Sequence, residues 1–143
     1  MLKEILVIDD NPDIRLLVST ILEDQNFEVR TAANYDQAVF EINKKLPDLA
    51  IVDIKLDRAD KDGIDLLKLI SNKDKFTPVI MISGHATVKI AVEAIRLGAY
   101  EFIEKPFSRE KILNYVKRAL ESVNLKKEKD IFENKLFHSF EII

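Results

Sequence analysis

The residues best suited to chemistry are three carboxylates, a hydroxyl and an ammonium, each at the end of a short apolar run. Asp9 and Asp10 close ILVIDD, Asp53 closes LAIVD, Ser83 closes VIMIS, and Lys105 stands in FIEKPF just before Pro106. Adjacent carboxylates beside an apolar core repel one another and lose hydration, so a positive group must compensate them unless they escape into water. If the runs are neighbouring strands, Asp9, Asp10 and Asp53 make a hard-oxygen site. Magnesium takes such sites, with one or two carboxylates, retained waters and phosphate oxygens. Ser83 can donate to an anion held there, Lys105 can neutralise it, and a carboxylate can attack phosphorus. Each residue alone has a plainer reading. The acid pair can begin a solvated loop with Asn11 as a helix cap, Ser83 can be a turn residue, and Lys105 a surface lysine. Asp57, Asp60, Asp62 and Asp65 read as solvated acids on the loop and helix after Asp53.

The chain between these residues supplies the elements to position them. Ile5 to Ile8, Leu49 to Val52 and Val79 to Ile82 are continuous apolar runs, as in parallel strands buried on both faces. Phe27 to Arg30 and Tyr100 to Glu104 alternate instead, which predicts sheet edges. Helical stripes fill the gaps: Ile14, Leu17, Val18, Ile21 and Leu22 after Asn11 and Pro12; Ala38, Val39, Ile42 and Leu46; Ile64, Leu67 and Ile70 after Gly63; Val88, Ala91, Val92 and Ile95 before Gly98; and Ile112 to Val123 after Ser108. Five strands alternating with five helices predict an α/β, doubly wound parallel sheet of order 2-1-3-4-5 with helices on both faces. Its ligand crevice lies at the carboxyl ends of the first and third strands, where the winding reverses. Asp9, Asp10 and Asp53 meet there.

Composition narrows the function classes. The chain has 143 residues, 47% apolar, with a net charge of −3 and no Cys, which removes disulfides, zinc–thiolate sites and cysteine nucleophiles. The charge provides no general drive toward nucleic acid or anionic membrane, and no apolar run reaches the length of a span. Three Gly and four Pro argue against a turn-rich all-β design. The expectation is a cytoplasmic domain without membrane or direct nucleic-acid contact.

Asp9-Asp10, Asp53 ending LAIVD, Ser83 ending VIMIS and Lys105-Pro106 in EKPF together resemble a response-regulator receiver domain over residues 3–122. The resemblance implies a CheY-like (flavodoxin-like) fold, Asp53 as phosphoacceptor from a sensor histidine kinase, and a bound magnesium ion. It also implies that Asp10 is a direct metal ligand, Asp9 an acid acting through water, and the Lys55 main-chain carbonyl a further ligand. Ser83 resembles the switch hydroxyl, Phe102 the switch aromatic, and Lys105 the lysine that pairs with the phosphoryl group. The Lys105-Pro106 bond is expected to be cis. Lys55 and His85 occupy positions that modulate phosphoryl lifetime in the family; His85 reads as a rim residue. The run ISGHATVKIAVEAIRLGAYEFIEKPF is similar to the NtrC-like branch, especially NtrX-type regulators. Asp57 stands where most receivers have Pro, and Gly63 follows a longer loop than the commonest pattern, as in NtrX.

Residues 123–143 continue helical propensity without Gly or Pro, and Lys129 with Glu133 offers an i,i+4 pair. A continued fifth helix used in dimer contact and a frayed linker both fit. The ending SFEII resembles the start of the ATPase domain of NtrC-like regulators, and no G-x-x-x-x-G-K-[ST] is present. The expected division is a receiver domain at 1–122 and a helical extension at 123–143 toward missing ATPase and DNA-binding domains. The expected function is phosphorylation-dependent control of a homodimer or of that output, without turnover of an external substrate. Two alternatives are a magnesium-dependent phosphohydrolase and a pseudo-receiver serving as a fixed dimerisation module.

Overall fold

The computed structural model describes residues 2–56, 60–85 and 87–141, and the side chains of the last helix as far as residue 136. Five strands, β1 (Glu4–Ile8), β2 (Glu28–Ala32), β3 (Leu49–Asp53), β4 (Val79–Ser83) and β5 (Glu101–Glu104), form one parallel sheet of order β2-β1-β3-β4-β5. Between and after them run α1 (Pro12–Glu23), α2 (Tyr35–Lys44), α3 (Gly63–Lys73), α4 (Val88–Arg96) and α5 (Arg109–Glu141). The predicted topology is the observed one.

Strand alternation divides the core in two. Ile5, Val7, Leu49, Ile51, Ile80, Ile82 and Ile103 face α1 and α5, packing on Val18, Leu22, Ile112 and Val116. Leu6, Ile8, Ala50, Val52 and Met81 face the opposite helices, packing on Ala38, Ile42, Leu66, Leu67 and Ala94. The central strands are buried on both sides, which is why their sequences are continuously apolar; each fully buried Leu or Ile contributes about 1.5–3 kcal/mol. The edge strands β2 and β5 keep exposed or half-exposed positions, as their alternation predicts.

Local chemistry sets the helix ends. The Asn11 side chain accepts from the Asp13 and Ile14 amides with Pro12 in the first turn, Thr87 Oγ1 accepts from Ile90, and Ser108 Oγ from Lys111. The Asn34 side chain caps α2 by accepting from Gln37, a cap the apolar stripe alone does not reveal. Asp62 and Asp65 correct the sequence reading: they are not merely solvated acids but a capping box. Asp62 Oδ1 accepts from the Ile64 amide at 2.9 Å, and Asp65 Oδ2 from the Asp62 amide at 3.0 Å. Asp57 lies outside the described residues. Gly98, at φ +109°, ends α4 with its amide on the Ile95 carbonyl and the Ala99 amide on Ala94, so the helix stops in a left-handed residue.

The fifth helix continues past the sheet as one 33-residue element, Arg109–Glu141. The loop before β4 packs against the extension. Lys75 Nζ lies 3.9 Å from Asp130 Oδ1, and Lys75 and Lys127 sit 5.0 and 5.9 Å from the Phe76 ring centroid. Lys129 and Glu133 make the expected i,i+4 pair at 3.9 Å. No helix among the described residues is long and apolar enough to cross a membrane.

Candidate metal centre

The sheet register brings the sequence-predicted acids together. Ile8 pairs with Val52 and Asp53 with Ile82, so Asp9 and Asp10 leave β1 beside the end of β3. Asp9 is fully buried, Asp53 is 5% exposed, and Asp10 is exposed. One carboxylate oxygen from each lies within 4.8 Å of the others. Lys105 enters from the end of β5, its Nζ 2.8 Å from Asp9 Oδ2 and 3.2 Å from Asp53 Oδ2. The Lys105-Pro106 bond is cis, as expected.

The chain's own amides hold the two buried carboxylates. Asn11 donates to Asp9 Oδ1 at 2.8 Å, and Lys55 to Asp53 Oδ1 at 3.3 Å. Each carboxylate thus has one oxygen tied to the amide two residues on and the other turned toward Lys105. The Lys55 side chain itself is exposed. Arg15, one turn into α1, donates through Nη1 to the Asp9 carbonyl at 2.8 Å. Sequence reasoning missed this anchor; its signal was a basic residue shortly after an acid pair.

One ammonium does not balance this much buried negative charge. Burial, and then the charge of Asp9, push the Asp53 carboxyl up from 3.8 to about 6, against the opposing pull of Lys105 and the Lys55 amide. Burial disfavours the Lys105 ammonium, but contact with Asp9 and the charge of Asp53 outweigh it and raise Lys105 above the usual lysine value. Asp9 Oδ2 is buried with that ammonium 2.8 Å away. Three carboxylates with an oxygen each within 4.8 Å of the others are a hard-donor set, and a divalent ion such as magnesium fits it.

Ser83, 3% exposed, sits one residue beyond the strand partner of Asp53, and its carbonyl accepts from the Lys105 amide at 2.8 Å. Its Oγ accepts from the His85 amide at 3.1 Å, a turn contact that uses a lone pair and not the hydroxyl proton. The local-turn reading is the one this contact supports. His85 is exposed. Phe102 is half-buried against the core and borders an apolar groove of about 500 Å³ with Ala91, Val92, Ile95, Arg96 and Glu101. That places it on the α4–β5 face rather than among the acids.

A doubly wound sheet with an acid trio at its switch point and a lysine after β5 defines a class, and the family comparison agrees. Residues 5–117 match the response regulator receiver domain, and the chain belongs to that family. Within it, the chain is similar to NtrX-type proteins. It is 44% identical over 128 residues to the nitrogen assimilation regulatory protein NtrX of Azorhizobium caulinodans, covering 90% of this chain and 28% of that protein. The crystal structure of the NtrX receiver domain from Brucella abortus is 48% identical with a TM-score of 0.77, covering 82% of this chain and 98% of that one. The beryllofluoride-activated NtrC4 receiver domain dimer is 36% identical with a TM-score of 0.79, over 85% and 99% of the two chains. The chain thus spans less than a third of the length of the curated NtrX relative.

Proposed function

We propose that this receiver domain is a phosphorylation-controlled switch that accepts a phosphoryl group on Asp53 from a sensor histidine kinase. The observation that carries the reading is the buried Asp53 carboxylate, flanked by two further acids, with Lys105 Nζ 3.2 Å from Oδ2. An Asp53 oxygen forms the new bond to phosphorus as the phosphorus–nitrogen bond of the donor phosphohistidine breaks. The departing imidazole nitrogen keeps the electron pair and takes a proton from solvent. Asp10, Asp53 and the Lys55 main-chain carbonyl would hold magnesium, with Asp9 acting through water, and its charge would offset that of the phosphoryl oxygens. Lys105 pairs with one of those oxygens, and Ser83 donates its unused proton to another.

In this reading Ser83 and Phe102 couple the phosphoryl group to the face made by α4, β5 and α5. Two packings of that face exist, and phosphorylation favours one. The chain divides into a receiver domain at 1–122 and a helical extension at 123–143 that leads to an ATPase and DNA-binding output in transcription regulation. A homodimer forms through the switching face, a reading supported by the dimer of the NtrC4 receiver. The protein acts in the cytoplasm, releases its phosphoryl group slowly by itself, and turns over no external substrate.

Intact-protein mass spectrometry after incubation with acetyl phosphate and magnesium tests this. One phosphoryl mass on wild type and none on Asp53→Ala is the expected result. No addition from acetyl phosphate or from a histidine-kinase donor, with folding and magnesium binding verified, favours a pseudo-receiver instead. Repeated release of phosphate from an external ester favours a phosphohydrolase.

A further inference from the structure

Gly63 opens α3 at the neck of the loop that leaves the acid site. Its amide donates to the Ile54 carbonyl at 2.8 Å, and the Asp62–Asp65 capping box holds the helix start at that point. Its bare side lies against the strand end. A Cβ there would stand 2.2 Å from the Asp53 carbonyl oxygen, 2.9 Å from the Asp53 carbonyl carbon and 2.9 Å from Ile54 Cα. All three are backbone atoms, so no side chain can swing aside. The demand is for space and not for φ, because Gly98 is the glycine with a left-handed backbone.

We infer that Gly63 is a positioning residue for the metal centre: its missing side chain lets the start of α3 brace the Asp53–Ile54 peptide and so sets where Asp53 and the Lys55 backbone lie relative to Asp9 and Asp10. The inference rests on the reading of the acid trio as a magnesium site. A methyl group at residue 63 must open the neck by roughly 1 Å to restore van der Waals contact. Central β3 is paired on both sides, whereas the Ile54–Lys55 segment has left the ladder except for the Ile54 amide on Ile82. The displacement therefore falls on Ile54 and Lys55, whose amide holds Asp53 Oδ1. Magnesium requires near-ideal octahedral geometry and tolerates such a shift poorly.

Calorimetric titration with magnesium of wild type, Gly63→Ala and Arg30→Ala, each checked by circular dichroism and urea unfolding, tests the inference. Gly63→Ala is expected to stay folded and bind magnesium at least about tenfold more weakly, the loss typical when a group supporting metal ligands is changed. Arg30→Ala removes the Glu4 pair and the bonds to the Glu41 and Lys45 carbonyls away from the neck, and is expected to lose stability while retaining the wild-type affinity. Wild-type affinity in folded Gly63→Ala overturns the inference, as does equal weakening in Arg30→Ala. If Gly63→Ala does not fold, hydrogen exchange on wild type decides: magnesium must slow the Gly63 amide more than the Leu67 amide, and no difference overturns the inference. Absence of magnesium binding by wild type, or binding unchanged in Asp53→Ala, is a separate failure that removes the metal reading and this inference with it.

Discussion

Replacing Asp53 with Asn is expected to stabilise the metal-free protein at neutral pH. Asp53 is raised from 3.8 to about 6, chiefly by burial and then by Asp9. In that interval the folded state binds more protons than the unfolded one, so this group makes stability fall as pH rises through the window. Roughly two units at about 1.4 kcal/mol each give about 3 kcal/mol, fully expressed above pH 6 and absent below about pH 4. Asn reproduces the neutral carboxyl in shape and cannot ionise. Urea unfolding followed by circular dichroism, at a series of pH values in EDTA, reads the difference between variant and wild type. It is expected to grow by about 3 kcal/mol in favour of the variant between pH 4 and 7. Adding magnesium at about a hundred times its dissociation constant is expected to restore about 2.7 kcal/mol to wild type and less to the variant. A difference that is flat or falls with rising pH would refute the claim that burial and Asp9 dominate the environment of Asp53.

Two further predictions concern charges the fold holds in place. Lys105→Met leaves buried Asp9 without its cation at 2.8 Å and is expected to cost about 3 kcal/mol at pH 7 in EDTA, because breaking one side of a buried pair strands the other; a loss below about 0.5 kcal/mol in urea unfolding would mean that Asp9 is compensated elsewhere. The Lys105 contribution is present below the ordinary lysine value and is lost only as pH rises past its raised one. Arg30 pairs with Glu4 at 2.9 Å and donates to the carbonyls of Glu41 and Lys45 at 3.0 and 2.6 Å, tying edge strand β2 to the end of α2. Arg30→Ala is expected to cost about 2 kcal/mol in the same assay, the sum of two or three charge-assisted bonds less the water that replaces them. Its magnesium affinity should not change.

Much of this molecule is legible in one dimension. Apolar runs at Ile5, Leu49 and Val79 mark the central strands because a parallel strand covered on both faces has no position at which a polar side chain is cheap. Asn11, Ser108 and Gly98 mark helix ends because their side chains, or the lack of one, solve problems within a few residues. Asp62 and Asp65 were the misreading. Acids spaced i,i+3 serve equally as solvated charge or as a capping box, and only the place where α3 begins decides between them.

By itself the sequence determined the element order, the two faces of the core, and the candidate acids, hydroxyl and lysine, since strand and helix periodicity and strand-end chemistry are written locally. Only the tertiary structure decided that Lys105 reaches both Asp9 and Asp53, that Arg15 holds the Asp9 carbonyl, and that Gly63 lies against the Asp53 backbone. Those relations join residues that are distant along the chain, or depend on directions that a residue type leaves open. The same holds for the electrostatics. Whether Asp53 is an ordinary carboxylate or one pushed up to about 6 depends on how much water the neighbouring strands exclude and which charges share the crevice, and both follow from sheet register rather than from composition.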